Sequence, residues 1–191
     1  MTIDAPRIRP GDRRELGLLN SVITKVGARY MKASSANLFT TMGRNRKLFR
    51  AWLRFGSAMM PRGTLPRRET ELMILRVAYL RSCTYEFTHH ERIGRSIGLT
   101  ADEIADIAQG STAASWSARE QSILRAVDSI HETRDIDQTL WSELSGFLSD
   151  SELIEVCMLI THYEMLATFI GTLRIQDDTF VHPGPRPGSA G

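Results

Sequence analysis

The 191-residue chain has little cysteine, only Cys83 and Cys157, and few aromatic residues, 7% of the total. Two thiols far apart in sequence exclude the disulfide framework of a small secreted domain and leave each to be judged separately. No stretch approaches the roughly 20 uncharged apolar residues that a membrane-crossing helix needs. Behind Arg7 and Arg9, the segment Met1–Pro10 carries no apolar run of the kind a secretory signal has. These absences predict a cytoplasmic protein with no membrane partner. Strict alternation of apolar and polar residues is also nearly missing, which leaves helical periodicity as the organising pattern and predicts an all-α fold.

What is present is ordinary for a globular domain: 42% hydrophobic and 24% charged residues, with a net charge of +2. The small net charge hides an asymmetry, because residues 1–70 carry 15 Lys/Arg against 4 Asp/Glu and residues 71–191 carry 9 against 18. Arg44, Arg46, Lys47, Arg50 and Arg54 concentrate the basic excess. No DNA-binding motif accompanies them, so a solvated helix face or a contact with the acidic half is expected in preference to a nucleic-acid patch.

The periodicity predicts a first helix marked by Leu16, Leu19, Ile23 and Val26, ending near Ser34 and Ser35. A second should run from about Asn37 to Met60, with Leu48, Trp52, Phe55 and Met59 on one face, before Pro61, Gly63 and Pro66 break the pattern. A third spans Arg67 to Arg81, directing Leu72, Leu75, Val77 and Ala78 to a core, and a fourth runs from Cys83 to Gly98, where glycine suits a C-terminal cap. Thr100 with Glu103 and Ser149 with Glu152 read as capping boxes that start a short fifth helix and the long last one, Ser149 to Leu173. Between these lie helices at about Ser117 to Glu132 and Asp137 to Phe147. Residues 1–180 are expected to form one domain, a core at 65–175 with a helical extension at 1–60, and the Pro- and Gly-rich residues 182–191 a disordered tail.

The segment Cys83-Thr84-Tyr85-Glu86-Phe87-Thr88-His89-His90 gathers a thiol, a phenol, a carboxylate and two imidazoles at the start of a helix. Cys83, Glu86 and His90 stand at i, i+3 and i+7 and share a face, with His89 rotated about 100° away. A thiol in the first turn of a helix feels the positive end of the macrodipole, which favours the reactive thiolate; its alternative fate is that of a small buried apolar residue. Glu86 and His90 can act as a general acid/base pair or simply as an i, i+4 charge pair. His162-Tyr163, a polar pair inside an apolar stretch, is a further candidate for the same pocket. Glu86-x-x-His89 has the spacing of a di-iron ligand pair, but no second copy exists. A lone metal on Glu71, His89, His90, His162 and Glu164 is not expected.

Glu71, Cys83 twelve positions later, and His90 resemble the alkylhydroperoxidase-like proteins, which bear a glutamate, a Cys-x-x-Cys twelve positions on, and a histidine four positions after the second cysteine. The surrounding Leu65-Pro66-Arg67-Arg68-Glu69, Ile74-Leu75-Arg76-Val77-Ala78 and Ile97-Gly98 are similar too. The Tyr85-Glu86-Phe87-Thr88-His89-His90 pattern resembles the carboxymuconolactone decarboxylase branch, and the likeness covers roughly residues 45 to 175. It implies an AhpD-like bundle of about eight helices that assembles as a homo-oligomer, a dimer, trimer or hexamer. It also implies a site of Glu71, Cys83, Glu86 and His90, lined by Tyr85, His162 and Tyr163.

Glu86 stands where the two-cysteine members have their second thiol, so a sulfenic acid at Cys83 has no neighbouring cysteine to capture it as a disulfide. The expectation is therefore an enzyme that performs acid/base chemistry without a cofactor or metal, decarboxylating or isomerising a small carbonyl or lactone-acid substrate. Two alternatives remain: a thiol-dependent peroxidase using Cys83, and a non-catalytic oligomeric binding protein. Glu71 could equally serve as a structural partner of Arg76 or His90.

Overall fold

The structure is a computed structural model and describes residues 5–180 apart from Lys32 and Pro61. The expected tail at 182–191 lies outside the described residues. Among these there are nine α-helices, one 3₁₀ helix and no β-strand. In chain order they are α1 (Arg13–Tyr30), α2 (Asn37–Met42), α3 (Arg46–Met59), α4 (Arg67–Leu80), α5 (Thr84–Ser96), α6 (Ala101–Asp106), the 3₁₀ helix (Ile107–Thr112), α7 (Ala118–Thr133), α8 (Gln138–Phe147) and α9 (Asp150–Leu173). Among the described residues they form two compact units, one of residues 5–52 with 175–180 and the other of residues 53–174.

In the first unit, the single helix expected at 37–60 is two, α2 and α3. The break falls at residues 43–45, and glycine is needed at its start because a Cβ on Gly43 would meet Leu16 Cδ2 at 2.5 Å and the Phe39 carbonyl at 2.7 Å. The chain approaches too closely for any other residue, and Asn45 restarts the helix by accepting the Leu48 N–H at 3.3 Å. Phe49, not Leu48, is the buried residue; it stands in a cluster with Phe39 and Trp52 at ring separations of 5.7 and 6.3 Å, and Leu48 is exposed. Helical periodicity allows either of two adjacent stripes, and the aromatic cluster selects one. The first helix likewise departs from its reading. Leu16 is buried, but Leu19 and Val26 are exposed, and Asn20, Ser21 and Thr24 are the buried side chains.

The basic residues of this unit are largely engaged within it. Arg44 pairs with Glu15 at 2.7 Å, and Arg46 donates to the carbonyls of Glu15 and Arg14. Asp178 accepts the Asn37 N–H at 2.7 Å and so caps α2, whose own N-cap residue is an alanine.

The second unit is built on α4, buried from Glu69 to Ala78. Leu72 and Leu75 pack with Leu99, Ile104, Ile107, Trp116 and Leu124 in its core. A helix enclosed on all sides needs its polar groups satisfied internally. Arg76 meets Asp128 at 2.7 Å and the Ile107 carbonyl at 2.7 Å, so it is not the partner of Glu71. Glu69 takes Arg119, which also reaches Glu152. α9 is long and apolar enough by length and composition to cross a bilayer, although Glu164 interrupts its apolar stretch, half of which is buried in the fold.

Both expected capping boxes form, Thr100 with Glu103 and Ser149 with Glu152, and two more join Asp12 to Glu15 and Ser117 to Glu120. Removing the hydroxyl in Ser149→Ala leaves the Glu152 N–H without its cap. The expected cost is about 1 kcal/mol, seen as a melting temperature lowered by a few degrees with an unchanged denaturant slope.

Candidate acid/base site around His90

The site begins with the way α4 ends. Ser82 adopts the left-handed conformation, φ 49°. It donates its N–H to the Tyr79 carbonyl at 2.9 Å while Cys83 N–H reaches the Ala78 carbonyl at 2.8 Å. This is a Schellman cap with serine where glycine is usual. It reverses the chain and fixes Cys83 as the N-cap residue of α5, its thiol making no capping bond. A non-glycine residue held at positive φ carries strain, here immediately beside the candidate chemistry.

From that start, α5 directs Glu86 and His90 to one face, as their spacing predicts, and α4 supplies Glu71 opposite. Glu71 is fully buried. One oxygen faces His90 Nδ1 at 2.7 Å and the other the Arg67 guanidinium at 2.7 Å. With a carboxylate as acceptor, Nδ1 is the nitrogen that donates to Glu71. Tyr163 lies against the second nitrogen, Nε2, its hydroxyl 3.3 Å away and its ring edge-on to the imidazole at 5.2 Å. Burial holds the Tyr163 phenol protonated, its pKa raised well above the ordinary value, and the charges of Glu71 and Glu86 push the same way. Glu71, His90 and Tyr163 form a continuous relay across α4, α5 and α9.

Glu86 is the anomalous carboxyl of the unit. It is 3% exposed, and neither oxygen makes a hydrogen bond of normal geometry. Burial pushes its pKa up to about 8; the Cys83 thiol, a weak donor close by, and the charge of Arg81 draw it back in part, while Glu164 adds to the rise. At neutral pH this side chain is a carboxylic acid, one helical turn from His90.

Of the other sequence candidates, Cys83 is buried beside Glu86. His162 packs edge-on against Tyr163 at 5.3 Å and against Phe55 at 5.2 Å, and burial holds its pKa down to about 4, so it is a neutral ring. Tyr85 lies against His89, ring centroids 4.7 Å apart, on the neighbouring face of α5. Sequence reasoning missed two participants, Arg67 and Phe55. Arg67 was legible as an i, i+4 partner of Glu71; Phe55 was not, because no local pattern links α3 to α9. Among the described residues no group of three or more His, Cys, Asp or Glu is arranged to hold a metal ion.

The fold and site together define an AhpD-like, all-helical protein. Residues 46–129 match the model of the carboxymuconolactone decarboxylase family. The matched stretch includes Glu71, Cys83, Glu86 and His90, whereas Tyr163 lies beyond it. No curated protein matches the chain.

Among solved structures, the chain is similar to the uncharacterized peroxidase-related protein with an alkylhydroperoxidase AhpD core from Ralstonia eutropha JMP134. That match has a TM-score of 0.77 and 15% identity and covers 91% of this chain and 94% of that one. A peroxidase-related protein from Silicibacter sp. TM1040 gives 0.74 at 14% identity, covering 91% and 89%. The debrominase Bmp8, as a cysteine-to-alanine variant in complex with 2,3,4-tribromopyrrole, gives 0.74 at 15% identity, covering 88% and 90%. At such identities these likenesses show the fold alone.

Proposed function

We propose that the protein is an enzyme performing cofactor-free acid/base chemistry, decarboxylation or isomerisation, on a small carbonyl or lactone-acid substrate. The observation that carries this reading is the fixing of His90 between the Glu71 carboxylate and the Tyr163 hydroxyl, with a protonated Glu86 one turn away. His90 is the proton-transfer group, Glu71 sets its tautomer and balances its charge, and Glu86 delivers a proton to the substrate. A buried, protonated carboxyl beside an imidazole suits an acid and a base in one pocket. Cys83 is a pocket residue in this scheme, and Tyr85, His162 and Tyr163 line it. The test is incubation of lactone acids and β-keto acids in deuterated water, followed by NMR. Deuterium at carbon or loss of the carboxyl group supports the reading, and a panel left unchanged overturns it.

A second reading, thiol chemistry at Cys83, is favoured by the contact between that thiol and Glu86 and by the debrominase, whose structure was determined with a cysteine replaced. It yields a sharp expectation. After peroxide treatment the wild-type chain carries a sulfenic acid at Cys83 and no intrachain disulfide. Glu86→Cys supplies a resolving thiol three residues on, and Cys83 closes a disulfide with it, two hydrogens lighter by mass spectrometry. A wild-type disulfide to Cys157 would show that another thiol resolves Cys83 after all.

The apolar positions that α1 exposes, Leu18, Leu19, Val22 and Val26, support assembly as a homo-oligomer, which light scattering reads directly. Two reduced cysteines fit a cytoplasmic setting.

A further inference from the structure

A solvent-open cleft of about 530 Å³ lies between α7 and α9. Its walls include Arg81, Arg134 and Glu164, with Ile130 and Met165 as the apolar surface. Glu164 is saturated. It meets His131 Nδ1 at 2.7 Å, Arg134 at 3.5 Å and Arg81 Nε at 3.8 Å. Two permanent cations against one carboxylate leave excess positive charge, and the one anionic side chain of the wall has no capacity left to attract a cation.

The donors, by contrast, are not saturated. Arg81 Nε is buried and makes no hydrogen bond. Arg134, whose side chain is 66% exposed, donates Nη1 to the carbonyls of Ile130 and His131, and Arg81 donates Nη2 to Thr168 Oγ1 at 2.9 Å. A buried guanidinium N–H without an acceptor is costly, and a planar carboxylate matches the guanidinium fork. The volume is within the range of small-molecule sites.

We propose that this cleft binds an organic carboxylate with a small apolar body, the anion seated between Arg81 and Arg134 and the body on Ile130 and Met165. Resting on the function proposed above, the inference goes further in making this the subsite for the anionic end of the substrate. The cleft is tied to the acid/base site through Arg81 and Glu164, whose charges act on Glu86, and through the chain itself, since Arg81 precedes Cys83 by two residues and Glu164 follows Tyr163. A carboxylate clamped by two guanidiniums is stabilised in the ground state, which opposes its own departure as carbon dioxide. The carboxylate held here is therefore one that the reaction keeps, and the reacting carbon lies toward Glu86.

Calorimetric titration of the full chain with benzoate and its neutral counterpart benzamide, at fixed ionic strength, tests this. Benzoate should bind, and benzamide at least about tenfold more weakly. Arg134→Gly removes the guanidinium from a residue already at φ 65°, which glycine adopts without strain, and its melting temperature reads what the lost contacts with Glu164, Ile130 and His131 cost. It and Arg81→Gln should each weaken benzoate about tenfold or more. No benzoate binding up to about 10 mM, equal binding of benzamide, or affinity unchanged in both variants overturns the inference. His90→Gln keeps the two proposals separable: it should abolish turnover and leave benzoate affinity intact. Arginine-independent binding with an inactive His90→Gln sinks the cleft alone, whereas arginine-dependent binding with an active His90→Gln sinks the acid/base reading alone.

Discussion

His90→Gln lowers turnover by about a thousandfold or more while leaving the melting temperature within a few degrees. Glutamine has nearly the volume of histidine, and its amide N–H can still donate to Glu71, so the buried carboxylate keeps a partner. What disappears is the basic nitrogen that faces Tyr163 at 3.3 Å. A positioned acid or base contributes roughly a hundred- to ten-thousandfold to a rate, and this side chain stands at the centre of the relay. The measurement pairs the rate of deuterium incorporation with urea unfolding. Full activity in a folded variant would remove His90 from the mechanism.

Glu86→Gln converts a protein that loses stability from mildly acidic to alkaline pH into one that does so far less. Glu86 has a folded pKa of about 8 against an ordinary value of 4.5, so between those values the folded chain binds its proton and the unfolded chain does not. Stability from this group is complete below the lower value, falls as pH rises, and levels off above the higher. At 1.36 kcal/mol per unit, the full span is roughly 5 kcal/mol. His162 works in the opposite direction between about 4 and 6.5, because its folded pKa is depressed. Comparing wild type with the variant at each pH cancels that contribution. The stability difference should shift by roughly 2 kcal/mol in favour of the variant between pH 6.5 and 8; a difference that does not change with pH would mean that Glu86 is ionised throughout. The catalytic consequence runs in the same direction: if Glu86 is the general acid, turnover falls as pH rises through about 8.

The helices that carry the site were legible because their signals are local. Thr100 and Ser149 announce their helices through a glutamate three residues on, and the i, i+3, i+7 spacing of Cys83, Glu86 and His90 makes a common face wherever a helix forms. The twelve-residue interval from Glu71 to Cys83 was legible as a resemblance. The division of the second predicted helix at residues 43–45 was not, because no proline marks it and Gly43 itself keeps right-handed helical dihedrals. Nor was the choice of Phe49 over Leu48, which rests on contacts with Phe39 and Trp52.

By itself, then, the sequence determined that the chain is helical, where most helices begin, and that a thiol, a carboxyl and an imidazole share one face of α5. Only the tertiary structure decided what those groups are chemically. Glu86 becomes an acid because packing strips it of water and of strong donors, and His90 acquires a fixed orientation because Glu71 on α4 and Tyr163 on α9 meet its two nitrogens. The saturation of Glu164 and the unsatisfied Nε of Arg81 are likewise products of α5, α7 and α9 packing against α4. Protonation and hydrogen-bond state depend on neighbours distant in sequence, and local spacing carries no record of them.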